Sequence, residues 1–286
     1  MIGDGKDFDN PAKTRFAFTA LRPARTCFEL GRGALVTLAC CAVLASVWHA
    51  AGDENRRQTI AAFGALEHAR DSGERIEAIR DLVRSAVIDG PVVIPALVRS
   101  VADGAVEVRI EAVRSLGPAA SAAALTASGD DQVAAAIAAL IRSLDDREPA
   151  VRIAAVHALG SIAASKNPLG VINPQTLVGA MAAMLGDPDA TVRASTIASL
   201  GVAGPVAAAD PPPALIAALD DESSFNRAAS VRTLARFPQG LDRLIPTLLD
   251  VMAKEQDGSP VREACLEVLR QLHAERLEPG KRDPRL

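Results

Sequence analysis

Tyrosine is absent from this 286-residue chain, tryptophan occurs once, and aromatic residues make up 3% of it. A β-sandwich or barrel fills its sheets with aromatic and β-branched side chains, so the scarcity argues against an all-β fold. The four cysteines, at 27, 40, 41 and 265, form neither a disulfide framework nor a CxxC metal pair. No GxGxxG or GxxxxGK[ST] phosphate loop occurs, no HExxH, and no GxSxG turn. His49, His68, His157 and His273 are scattered, without a cysteine partner at zinc spacing. On these grounds no catalytic residue, cofactor, metal site or small-molecule substrate is expected. Positive charge is not in excess either: 31 Lys and Arg stand against 35 Asp and Glu, a formal net charge of -4. A nucleic-acid partner is therefore not expected.

Alanine and aliphatic residues are abundant, and the hydrophobic share of 49% is ample for a core. Residues 1–32 are polar and irregular and carry Lys6, Lys13, Arg15, Arg22, Arg25 and Arg32, which reads as a flexible tail. Residues 33–52, GALVTLACCAVLASVWHAAG, contain no Asp, Glu, Lys or Arg. Their length suits one crossing of a bilayer as a helix, at about 1.5 Å per residue. A transmembrane anchor, the apolar part of a cleaved signal peptide, and a buried soluble helix are the three readings. The anchor is preferred, because His49-Ala50-Ala51 makes a poor cleavage site and Cys40 lies too deep for lipidation. The six basic residues ahead of it favour a cytoplasmic N-terminus and an extracytoplasmic remainder, secreted or periplasmic if cleavage occurs. A reporter fused after Leu286 that works only in the cytoplasm would contradict that orientation.

Beyond residue 57 the chain repeats itself. Aligned on Arg75, Arg109, Arg152, Arg193, Arg227 and Arg262, the segments read RIEAIRDL, RIEAVRSL, RIAAVHAL, RASTIASL, RAASVRTL and REACLEVL. Each has Leu seven residues after the Arg, an aliphatic residue at the fourth and a small one at the third. Those positions share one face of a helix, so each segment is an amphipathic, close-packing helix with Cys265 in its core stripe. A further helix precedes each, as in VVIPALVRSV and QTLVGAMAAML, with Pro91, Pro174, Pro211 to Pro213 and Pro246 near the starts. Gly117, Gly160 and Gly201 are read as C-caps of the second helices. The unit is helix, turn, helix, and the anchor spacings of 34, 43, 41, 34 and 35 suit a paired-helix solenoid.

Residues 145–160, Asp-Asp-Arg-Glu-Pro-Ala-Val-Arg-Ile-Ala-Ala-Val-His-Ala-Leu-Gly, resemble a HEAT repeat of the kind also found in phycobilin lyase subunits. The similarity extends over roughly residues 57–275. It implies an all-α fold: a right-handed α-solenoid of about six HEAT-like helix pairs over residues 53–275, followed by a disordered tail at 276–286. It further implies a turn Asp six residues before each anchor Arg, the two tying neighbouring repeats together. The matching pairs are Asp103/Arg109, Asp146/Arg152, Asp187/Arg193 and Asp221/Arg227. The first and last repeats depart from the rule, since Asp71 lies four residues before Arg75 and Asp257 five before Arg262.

Such solenoids bind proteins, and the resemblance implies that the second helices line the concave side. Their fifth and ninth positions would then form a strip of Arg80, Arg84, Arg114, His157, Arg232 and Arg236. An acidic protein partner suits that strip, because arginine pairs with carboxylates. Simple solvated pairing with Glu77, Asp81 and Glu111 explains the same residues. The function expected is that of a non-catalytic, membrane-anchored or exported scaffold for protein-protein interaction. The alternative is an enzyme subunit resembling the bilin lyases.

Overall fold

The structure, a computed structural model, describes residues 54, 56–124, 130–164, 173–207, 210–237 and 241–277. The backbone clusters into two units, Met1–Ala50 and Ala51–Leu286. The tail at 1–32, the apolar run at 33–52 and the end of the chain after Leu277 lie outside the described residues. Among the described residues no helix is long and apolar enough to cross a membrane.

The second unit is a series of helix pairs in an α-solenoid. Helix α1 spans 56–68. It is followed by α2 (Ser72–Ser100), α3 (Val106–Ala123), α4 (Asp130–Ser143), α5 (Pro149–Ala163), α6 (Pro174–Ala183), α7 (Ala190–Ala207), α8 (Pro213–Ala217), α9 (Ser224–Leu234), α10 (Leu241–Lys254) and α11 (Pro260–Leu277). Short 3-10 turns, Met184–Gly186 and Ala218–Asp220, extend α6 and α8. The second helices α3, α5, α7, α9 and α11 pack in sequence against one another, and the first part of α2 opens the row.

A break between the RIEAIRDL helix and the VVIPALVRSV helix is expected near Pro91, and helical turns occupy the whole span from Ser72 to Ser100 on both sides of it. A straight helix of 29 residues would extend about 43 Å. Arg75 near its start nevertheless grips Asp103, just past its end, at 3.0 Å. The chain must double back within α2, which gives the two antiparallel halves that the repeat requires.

The core follows the sequence periodicity. Ala78, Ile79, Leu82, Ala112, Val113, Leu116, Ala155, Val156, Leu159, Ile197 and Leu200 are all buried in one continuous cluster or against it. Cys265 is fully buried as well, and burial, with Glu255 nearby, pushes its thiol up to about 11. It stays protonated and unreactive at neutral pH.

Gly117, Gly160 and Gly201 do not cap the second helices, which run on past them to Ala123, Ala163 and Ala207. They are points of close approach. A methyl built on Gly160 would stand 3.0 Å from Ser199 Cβ, and one on Gly201 3.2 Å from Thr233 Oγ1. Each glycine faces the sixth position of the next repeat, so the missing Cβ lets neighbouring second helices come together. In the last repeat the corresponding positions hold exposed charge. Glu263 replaces the Ile or Ala found one residue after the anchor, and Arg270 stands where the glycines stand. Helix α11 thus exposes charge where the preceding second helices carry packing residues.

Candidate functional site

The turns between the helices of each pair hold the strongest polar geometry. Four anchor arginines reach forward to the carboxylate of the next repeat, with Nε and Nη2 donating to its two oxygens. Arg75 grips Asp103 at 3.0 and 3.0 Å, Arg109 grips Asp146 at 2.8 and 3.0 Å, and Arg152 grips Asp187 at 2.7 and 2.8 Å. Arg193 grips Asp221 at 2.7 and 3.1 Å and also donates to Glu222 at 2.8 Å. The third nitrogen, Nη1, holds the arginine's own turn through the backbone carbonyls of Asp103, Asp146, Asp187 and Asp221, at 2.8–3.0 Å. Each aspartate also accepts the backbone N–H two residues on, from Ala105, Glu148, Asp189 and Ser223. Every such turn is locked between two arginines. Planar bidentate pairs of this kind are among the stronger charge-assisted hydrogen bonds.

Neighbouring repeats are thus tied together through these residues, as the resemblance implies. The carboxylate of each turn belongs to the preceding repeat's arginine, and its own arginine takes only the carbonyl. The first repeat therefore joins the ladder through Arg75–Asp103 although its own turn lacks the six-residue spacing. Asp71 instead caps α2, accepting from Gly73 N at 2.8 Å and Glu74 N at 3.2 Å. At the far end Arg227 grips Glu255, a residue not expected from the sequence. The offset reveals it: Arg75 to Asp103, Arg193 to Asp221 and Arg227 to Glu255 are each 28 residues apart. Arg262 ends the ladder, pairing at 3.1 Å with an almost fully exposed Asp257 and donating to the Met252 carbonyl.

Burial of Asp146 and Asp221 opposes their ionised forms. Their arginines, with the backbone N–H groups of Glu148 and Ser223, outweigh it and hold both carboxyls below the usual range. Both titrate lower folded than unfolded, so their contribution is complete above the unfolded value near 3.9 and lost as the pH falls through the folded values. Denaturant unfolding should therefore show stability flat from neutral pH down to about 4 and dropping below it. The Asp146→Asn, Asp221→Asn double variant should begin less stable and show a shallower acid loss.

The second helices carry the other candidate residues, and all six of these are solvent-facing. Arg80 bridges Glu111 of the next repeat at 2.9 Å and Glu77 at 2.7 Å, contacts that raise its pKa, with Glu111 the main cause. Arg84 pairs with Asp81. Arg232 reaches Glu267 at 3.3 Å. Arg114, His157 and Arg236 are exposed, and neither Arg114 nor Arg236 has a carboxylate partner among the described residues. The strip is thus less uniformly basic than its arginines alone suggest, because carboxylates on the same face answer the positive charge at both ends. Between those ends α7 exposes Ala198, Val202 and Val206. Among the described residues no group of three or more His, Cys, Asp or Glu side chains is placed to hold a metal ion.

Models of the HEAT repeat match residues 136–165, which are α4 and α5, and residues 177–270, which run from α6 into α11. The chain carries HEAT repeats. The first two helix pairs lie outside those matches and join the HEAT array through the same arginine ladder. One solved structure with this fold is an engineered protein 20% identical over 74% of this chain and 98% of its own, with a TM-score of 0.50. A second engineered protein is 19% identical over 75% and 97% of the two chains, with a TM-score of 0.49. A designed armadillo repeat protein in complex with the peptide (KR)4 is 20% identical over 73% and 97%, also with a TM-score of 0.49. No curated protein matches the chain significantly.

Proposed function

We propose that this HEAT-repeat chain is a non-catalytic scaffold that holds another protein, one with an acidic surface, on the face formed by its second helices. The observation that carries this is the register of that face. Arg80, Arg114, His157, Ala198 and Arg232 occupy the same exposed position on five successive second helices, so their side chains stack from repeat to repeat. The ladder arginines, by contrast, spend most of their donors within the stack, and Arg193 spends all five.

The exposed pairs on the strip do not block binding. Surface ion pairs are weak and screened by solvent, so Arg80 and Arg232 exchange their present carboxylates for a partner's at little cost. Arg114 and Arg236 need no exchange. Reversing Arg80, Arg114 and Arg232 to Glu together is expected to abolish capture of the native partner in a crosslinking pull-down, while the melting curve shifts only slightly. Wild-type recovery of the partner would eliminate this face.

A further inference from the structure

On most second helices the fifth and ninth positions are polar or charged: Arg80 and Arg84 on α2, His157 and Ser161 on α5, Arg232 on α9 and Arg236 just past its end. Helix α7 differs. There Ala198, Val202 and Val206 follow one another at four-residue intervals, with Val202 53% and Val206 57% exposed. Isolated surface valines are ordinary, but these three positions form one ridge about 12 Å long. The ridge lies between α5 and α9, both of which pack against α7. The α9 flank supplies cations. The Arg236 guanidinium lies 3.5 Å from where a methyl on Gly201 would stand, which puts it beside Val202 and without a carboxylate among the described residues. Arg232 is one turn back, on α9, and its one carboxylate contact among the described residues is with Glu267 at 3.3 Å.

We infer that the α7 ridge with Arg232 and Arg236 seats an amphipathic helix of the partner protein, through an aliphatic or aromatic pair spaced four residues apart and a flanking row of carboxylates. This rests on the scaffold reading and specifies its partner. Two features select a helix with acidic flanks. The apolar positions run along the axis of one helix and not across neighbouring helices. An extended segment crossing the stack would meet an exposed valine, among the described residues, only at α7, whereas a helix laid along α7 takes the ridge into a groove of its own over two turns. The cations stand to one side of that ridge, so an apolar stripe bordered by Asp or Glu matches both chemistries at once. A second copy of this chain would offer the same face its own Arg232 and Arg236 in place of carboxylates.

A library of random peptides about 16 residues long, roughly four helical turns, would be selected on the immobilised full chain. Enriched peptides would then be measured by fluorescence anisotropy against wild type, Val202→Ser with Val206→Ser, and Arg236→Glu. The expected sequences carry apolar pairs at four-residue spacing bordered by Asp or Glu, and affinity falls about tenfold in both variants. Both changes are at exposed positions, and an unchanged melting curve verifies the fold. Basic or proline-rich winners, affinities insensitive to the two variants, or no enrichment at all would overturn the inference. If in that case the Arg80, Arg114, Arg232 reversal still loses the native partner, the scaffold reading stands and only the seat on α7 is lost. If that partner is kept as well, both readings fail.

Discussion

Replacing Arg193 by Ala is expected to lower the unfolding free energy by about 3 kcal/mol, at the lower end of what breaking a buried ion pair costs. Arg193 makes five hydrogen bonds, to Asp221 twice, Glu222, and the carbonyls of Asp187 and Pro188. Its removal strands the Asp221 side chain, only 4% exposed, with Ser223 N and Asn226 Nδ2 as remaining donors. Those two donors keep the loss from the top of the range. Arg193→Lys should fall between, because an ammonium keeps the charge but not the planar fork. In a solenoid the effect should be regional. Amide exchange should speed up from α6 to α9 before it does in α3 or α11. Uniform exchange, or an unchanged denaturation midpoint, would show that the ladder is ornamental.

Gly204→Ala is expected to destabilise, against the usual direction. In a helix interior the change ordinarily gains up to about 1 kcal/mol. Here the new methyl would stand 2.2 Å from Phe237 Cζ and 2.7 Å from Cε1. Phe237 is fully buried, so the ring has no free space to swing into. Overpacking of this kind costs about 1–3 kcal/mol. Truncating the ring instead, Phe237→Ala, should cost about 3–5 kcal/mol through the cavity it leaves. The two changes should be strongly non-additive: with the ring gone, Gly204→Ala should recover its ordinary stabilising sign. Additive losses in thermal melts of the single and double variants would refute the contact.

The helical array was legible because its signal is periodic and local. Leu116, Val113 and Ala112 are buried for the reason their spacing gives: third, fourth and seventh positions share one face. What was misread depends on contacts between repeats, which spacing within one repeat does not encode. Gly160 looks like a terminator because glycine often follows a helix, yet its role is set by Ser199 in the next repeat. That Asp146 ties neighbouring repeats was implied by the resemblance, but the division of its carboxylate to Arg109, 37 residues earlier, and its carbonyl to Arg152 is set by the neighbouring turn. Glu255 escaped for the same cause, being defined by its 28-residue distance from Arg227 and not by its place in its own turn. The strip of arginines could be written down from sequence. That Arg80 and Arg84 are answered by Glu111 and Asp81, and that α7 interrupts the charge with valines, required the neighbouring helices to be in place.

The division between an internally locked ladder and an open second-helix face is tested most directly by photo-crosslinking. A crosslinking amino acid would be placed at Ala198 on the second helix of the fourth pair and, separately, at Ala183 on the first helix of the same pair, both exposed. The full chain in its native cell should crosslink to its partner from position 198 and not from 183. Equal yields from both positions, or crosslinks from 183 alone, would contradict the assignment of partner binding to the second helices.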